Sequence, residues 1–370
     1  MLQQQYLMYA YFLGISFGIS VCLTYVVRRL AIRYSFLDHP GERKMQKEPM
    51  PLMGGVAIVV TFYSVILIHM AVIAFMNQFG FDYIEARFLY VLGEDHNIKV
   101  TGILAGGFLI FLLGIVDDLK ALTPWVKLTG QIAAALVLVL SGIRIELFIL
   151  KELWLSGLVT IFWIVMLTNS LNFLDNMDGL SGGVSVIAAF SFFLCLHTSA
   201  GQENQLVRLL LMVFAGAVAG FLYHNLSPAR IYMGDAGAMF NGYFLASMAV
   251  IGTFHVESTP SRIAVAAPLL ALAVPLFDTA SVVWIRWRRG ESIMMGDKRH
   301  FSHRLVALGM TPRQAVEFIF LVAGVIGLGA ALLPILDVRG TFIIIAQTAG
   351  IFLLIVLLMT ASRKRGDKSS

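Results

Sequence analysis

Carboxylates and amides in this chain gather where apolar runs end. Asp117 and Asp118 are adjacent and directly follow such a run, Asn169, Asn172, Asp175 and Asp178 recur at every third residue, and Asp235 stands in the glycine-flanked turn Met233-Gly234-Asp235-Ala236-Gly237. Neighbouring carboxylates repel, so Asp117 and Asp118 require a raised pKa or a cation; taken alone, the pair reads as a helix-end cap or solvated loop. At three-residue spacing each side chain drifts about 60° around a helix, so the positions from Asn169 to Asp178 cover about half its circumference. That face suits a wet cavity in which amides and carboxylates bind a metal, a metal-linked phosphate or a nucleobase edge. A buried hydrogen-bond network between helices is the other reading. Asp235 either caps its helix or ligates a metal from a rigid element.

A second constellation is Gly296-Asp297-Lys298-Arg299-His300-Phe301-Ser302-His303-Arg304-Leu305. His300 and His303 lack a third ligand nearby and the glutamate of a metalloprotease, which argues against zinc. Beside Arg299 and Arg304, imidazoles suit phosphate oxygens. A cavity rimmed by carboxylates would repel a phosphorylated substrate, yet these basic groups share its side, and a divalent cation reconciles the two. Hard oxygen donors with phosphate favour Mg²⁺ or Mn²⁺. The chemistry expected is phosphoryl transfer, with one substrate a lipid.

The elements that position these groups follow from composition. Of 370 residues, 58% are hydrophobic and 13% charged, against about 45–50% and about 25% in soluble domains, and the mean hydropathy is +0.82. The sequence predicts an all-α, polytopic integral membrane protein. Apolar runs at 6–28, 53–76, 100–116, 126–143, 153–171, 183–199, 206–224, 237–254, 264–287, 314–336 and 340–361 give about eleven transmembrane helices. On the side that follows the first run, the connecting segments, the run ends beside them and the C-terminal tail hold 20 of the 27 Lys and Arg residues. That asymmetry puts those segments in the cytoplasm, the N-terminus outside and the C-terminus inside.

The net charge of +5 is therefore a topology signal and predicts no nucleic acid partner. Cys22 and Cys195 lie within apolar runs and form no zinc or disulfide framework. Arg28 and Arg29 follow the first apolar run, the reverse of a cleavable signal, so that run is read as a retained span. Gly14 and Gly18, like Gly216 and Gly220, stand one helical turn apart and are expected to permit close helix approach. The expected organisation is a single transmembrane catalytic domain over 1–370. Cytoplasmic loops 29–52, 117–125, 172–182, 225–236 and 288–313 would form its active site.

Five ordered motifs covering nearly the whole length resemble the polyprenyl-phosphate N-acetylhexosamine-1-phosphate transferases, glycosyltransferase family 4. They are Asp38-His-Pro40 with Arg43-Lys44 and Pro49-Met-Pro51 leading to Gly54-Gly55; Gly114 to Asp118, followed by Lys127 and Gln131; Asn169 to Gly179; Met233 to Asp235; and Asp297 to Leu305. The resemblance implies eleven helices with an outside N-terminus in a bacterial inner membrane. It implies transfer of N-acetylhexosamine 1-phosphate, with UDP-N-acetylglucosamine the expected donor, to undecaprenyl phosphate with release of UMP, as the first membrane step of an envelope polysaccharide. It further implies Asp235, with Asp118, as Mg²⁺ ligands and Asp117 and Asp118 at the lipid phosphate. Asn172, Asp175 and Asp178 would serve the nucleotide and diphosphate, Lys44 and Lys127 the phosphates, and His300, His303 and Arg304 the sugar diphosphate. A homodimer is left open.

Gln46, Asn176 and Ser302 depart from the family pattern, which often has histidine, glycine and histidine there. The first loop and the His-x-x-His-Arg-Leu ending set the chain apart from the phospho-N-acetylmuramoyl-pentapeptide transferases, the nearest alternative. A secondary transporter is a more distant one: Asp278, near Pro275, lies about 12 Å along a helix from Arg286 and could serve a coupling ion, or bond a neighbouring helix near the inner mouth.

Overall fold

The computed structural model describes residues 2–39, 48–78, 94–146, 152–198, 204–252, 266–292 and 299–366. Within the described residues, each apolar run of the sequence is mostly helix. In chain order these are α1 (Leu2–Arg33), α2 (Gly54–Gln78), α3 (Glu94–Leu119), α4 (Pro124–Leu140), α5 (Leu153–Leu174), α6 (Leu180–Thr198), α7 (Gln205–Asn225), α8 (Gly234–Ile251), α9 (Ala267–Ala271), α10 (Ala273–Arg288), α11 (Phe301–Ala307), α12 (Pro312–Leu332) and α13 (Val338–Gly366). In hydrocarbon every backbone N–H and C=O must be satisfied within the protein, and the helix does this segment by segment. Among the described residues, eight helices are long and apolar enough to cross a membrane: α1, α2, α3, α5, α6, α7, α12 and α13. α4 has 17 residues, and the ninth apolar run is split at Leu272 into α9 and α10. α8 carries Asp235 and Asn241 within its 18 residues.

Burial explains why α8 tolerates that composition. Ala236 to Met248 is buried on every side, with Phe240, Tyr243 and Phe244 wholly enclosed. The Phe214 and Phe244 rings stack at 4.4 Å and Phe62 meets Phe244 edge-on at 5.0 Å, so α2, α7 and α8 share one aromatic core. α8 therefore presents its polar groups to protein, not lipid. α1 and α13 lie at the other extreme, with 22% and 11% of their apolar windows buried, and form the periphery.

Close approach is decided helix by helix. A Cβ at Gly216 would stand 2.4 Å from the Leu13 carbonyl oxygen, and one at Gly220 would stand 2.5 Å from that of Phe17. Here α7 meets the backbone of α1. Gly14 and Gly18 have no atom within 4 Å of a would-be Cβ, so the expectation of close packing fails for them. Identical spacing on α1 meets no neighbour because the contact face of α1 is the one bearing Leu13, Ser16, Phe17 and Ser20.

Two short strands, β1 (Leu37–Asp38) and β2 (Met50–Pro51), pair antiparallel beyond the end of α1. The ribbon continues into the turn before α8: Tyr232 N–H donates to Pro51 O at 2.8 Å, Gly54 N–H to Tyr232 O at 2.9 Å and Gly55 N–H to Met233 O at 2.7 Å. A Cβ at Gly55 would lie 2.2 Å from Gly237 N, so only glycine lets α2 start against α8.

Candidate active site

The ends of α3, α4, α5 and α8 meet around Asp235. Gly234 has φ +77° and a Cβ there would lie 2.6 Å from Asp118 Oδ2. Glycine thus permits both the left-handed turn and the approach of Asp118. Asp118 Oδ1 accepts the Asp235 N–H at 2.7 Å and Oδ2 accepts the Ala236 N–H at 3.1 Å. Those are two of the amides that an α-helix leaves unpaired at its start. Asp118 is a cap, the simplest reading of an Asp-Asp pair, but it caps a helix more than a hundred residues away.

Its neighbour points elsewhere. Asp117, almost wholly buried, accepts the Leu122 N–H at 2.8 Å and touches the Lys127 ammonium. The same Lys127 Nζ reaches Asp235 Oδ2 at 2.9 Å, and Asn172 Nδ2 donates to Asp235 Oδ1 at 2.7 Å. Burial acts to raise the Asp235 carboxyl, yet its hydrogen bond with Asp117, the Lys127 charge and the Asn172 amide hold it below the ordinary carboxylate range. Asp235 is therefore a carboxylate in a site built to keep it charged.

Asp175, one turn beyond Asn172, has the opposite environment. Burial together with the charges of Asp235, Asp118 and Asp178 pushes its carboxyl up to about 8. It makes no side-chain hydrogen bond within the described residues and is the acid most exposed to the repulsion of this cluster. Asp178 instead accepts the Ala229 N–H at 3.0 Å, holding the segment between α7 and α8. Asn169 lies deeper, donating to Gln131 Oε1 at 2.6 Å in a pairing of amides between α4 and α5. The three-residue ladder thus divides: Asn169 joins the interhelical network, Asn172 and Asp175 face the cluster, and Asp178 ties a loop.

The histidine segment reaches the same end of α5 from the other side. Phe173 and His300 rings lie 6.2 Å apart, and Ser302 Oγ donates to Asn176 Oδ1 at 2.6 Å. Residues 172–176 therefore touch Asp235 on one side and α11 on the other. His303 and Arg304 sit partly buried on α11, where Arg304 bonds Ser281 and lies 5.9 Å over the Phe277 ring. Lys44 and Asp297 lie outside the described residues.

Three participants were not singled out for the site by the sequence. Asn176 and Ser302, noticed only as departures from a pattern, bond each other. Tyr232 faces the cluster, its hydroxyl pushed up to about 12 by burial and by the charges of Asp178, Asp38 and Asp175. Its place two residues before the Gly-Asp turn was the available signal.

The match that decides the family covers most of the chain. It is 31% identical over 318 residues to the probable undecaprenyl-phosphate N-acetylglucosaminyl 1-phosphate transferase of Bacillus subtilis (strain 168), covering 84% of this chain and 81% of that one. The chain belongs to glycosyl transferase family 4. The model of that family matches residues 100–253, which hold Asp117, Asp118, Lys127, Asn172, Asp175, Asp178 and Asp235. The decaprenyl-phosphate N-acetylglucosaminephosphotransferase of Mycolicibacterium smegmatis (strain ATCC 700084 / mc(2)155) is 31% identical over 90% of this chain and 83% of its own. The undecaprenyl-phosphate alpha-N-acetylglucosaminyl 1-phosphate transferase of Escherichia coli (strain K12) is 24% identical over 84% and 80%. Similarity to these relatives thus extends beyond residues 100–253 on both sides.

Proposed function

We propose that this chain transfers N-acetylglucosamine 1-phosphate from UDP-N-acetylglucosamine to undecaprenyl phosphate, releasing UMP, as a multi-pass enzyme of the bacterial inner membrane. Its eleven predicted spans form one domain, with the site on the cytoplasmic face. The observation that carries this reading is the convergence on one carboxylate, Asp235, of Lys127 from α4 and Asn172 from α5, with Asp117 of α3 on the same lysine. The relatives' names supply the polyprenyl phosphate and the N-acetylglucosamine phosphate.

The donor set suits a divalent ion that arrives with substrate. Among the described residues, no group of three or more His, Cys, Asp or Glu side chains is placed to hold a metal. Mg²⁺ is commonly held by one or two carboxylates with substrate phosphates and water completing its shell. Asp117 and Asp235 would hold it, where Lys127 now bridges them; both Asp118 oxygens are engaged on backbone amides. When bound, the ion would neutralise the diphosphate and the charge developing on the leaving UMP.

The chain's own groups supply the rest. Asn172 fixes the Asp235 carboxylate through Oδ1. Asp117, one oxygen already held by the Leu122 N–H, would set the lipid phosphate beside the ion, and an ionised oxygen of that phosphate attacks the sugar-bearing phosphorus in line as UMP departs. Lys127, displaced from the carboxylates, pairs with a phosphate oxygen. His300, His303 and Arg304 hold the sugar diphosphate against the end of α5. The test is UMP release by the purified chain given undecaprenyl phosphate and UDP-N-acetylglucosamine with Mg²⁺. Release is expected to vanish with EDTA or in Asp235→Ala; release unchanged by both would overturn the reading.

A further inference from the structure

Asp278 on α10 is wholly buried and stands apart from the acidic cluster. A carboxylate removed from water has to be met by donors, and Asp278 is met by two that belong to consecutive residues. Oδ2 accepts from His300 Nδ1 at 2.8 Å, and Oδ1 accepts the Phe301 N–H at 2.5 Å. One buried group thus grips both the imidazole ring and the main chain beside it. Three residues further along α10, on the same face, Ser281 takes Arg304 from α11. On its other side α11 is held by Asn176 through Ser302.

We infer that Asp278 is a positioning residue that fixes the His300 imidazole, in one tautomer and one orientation, for the sugar diphosphate. With the Asp278 carboxylate accepting at both oxygens, Nδ1 carries the hydrogen and Nε2 is left as the atom offered to a ligand. Nε2 makes no hydrogen bond within the described residues. A group needed only to cap α11 would require the Phe301 N–H alone; the bond to the ring is the part a purely structural role leaves unexplained.

The identity of the ligand rests on the transferase reading, whereas the Asp278–His300 pairing does not, and two measurements keep them apart. The first is a double-mutant cycle on the full-length enzyme, reading kcat and KM of UMP release for Asp278→Asn, Asp278→Ala, His300→Ala and the double variants. Either Asp278 substitution alone should lower kcat/KM by about ten- to hundredfold, by analogy with removing the partner that orients a metal-bound histidine. In the His300→Ala background the same change should matter by no more than about twofold. Losses that multiply would overturn the proposal. The second is the ¹⁵N spectrum of the histidine rings, assigned by His300→Ala. His300 should be protonated at Nδ1 in the native chain and should shift toward the Nε2-protonated ring in Asp278→Ala. A native His300 already protonated at Nε2 alone would overturn the pairing, and a native enzyme that releases no UMP would sink the transferase reading while leaving the ring spectrum decisive.

Discussion

Asp118 Oδ1 accepts the main-chain N–H of Asp235 at 2.7 Å, so one carboxylate of the acidic cluster places another by holding the backbone beneath it. The second oxygen does the same for Ala236, and the positive φ of Gly234 makes room for both contacts.

Asp118→Ala should therefore cost stability as well as activity. Each amide left without a partner costs about 1–3 kcal/mol, and Gly234→Ala should cost about 1–2 kcal/mol for the left-handed turn alone. Thermal unfolding in detergent reads both. An Asp118→Ala chain with an unchanged Tm would contradict the capping role.

On the proposed function, Lys127 and a divalent ion would compete for the two carboxylates that Lys127 touches, Asp117 and Asp235. In Lys127→Met, without substrate, Mn²⁺ should bind about tenfold more tightly, a change of about 1.4 kcal/mol, while UMP release falls because a phosphate contact is lost. Electron paramagnetic resonance of bound Mn²⁺ gives the affinity; weaker binding would place the ion elsewhere.

Asp175 gives a pH dependence of definite sign. Its carboxyl titrates at about 8 when folded and at about 3.9 in an unfolded chain, so the folded state holds the extra proton between those values. Stability from this group is full below about 3.9, falls as pH rises through the window and levels off above about 8. In metal-free buffer the native Tm should drop from pH 6.5 to pH 8.5 more than that of Asp175→Asn. Parallel curves for the two proteins would reject the shift.

The two glycine pairs make a matched control. Gly216→Leu drives a side chain into the backbone of α1, where a Cβ is already 2.4 Å from Leu13 O, and should destabilise by about 1–3 kcal/mol. At Gly14 an added Cβ has nothing within 4 Å, and Gly14→Leu should leave Tm unchanged. Equal losses would mean that α1 packs through both faces.

Those glycines also show what a sequence can and cannot disclose. Helix positions were legible because apolar runs of bilayer length admit few other structures. The gathering of Asp117, Asn172 and Asp235 was legible from their shared place at helix ends. Which member of an Asp-Asp pair caps a distant helix was not, since that depends on how α3 approaches α8. The Asp278–His300 and Asn176–Ser302 pairs were hidden for the same reason: each links residues far apart in the chain, and neither spacing nor residue type declares a partner across a packed interface. For Asp278 the sequence offered a coupling ion or a bond to a neighbouring helix, and the structure shows the second, to His300 and Phe301; spacing alone did not name those partners.

The backbone ribbon joining Pro51, Gly54 and Gly55 to Tyr232 and Met233 welds the first connecting segment to the hinge on which Asp235 hangs. Those three hydrogen bonds tie the two stretches of main chain together, so any displacement of residues 51–55 has to carry the start of α8 with it.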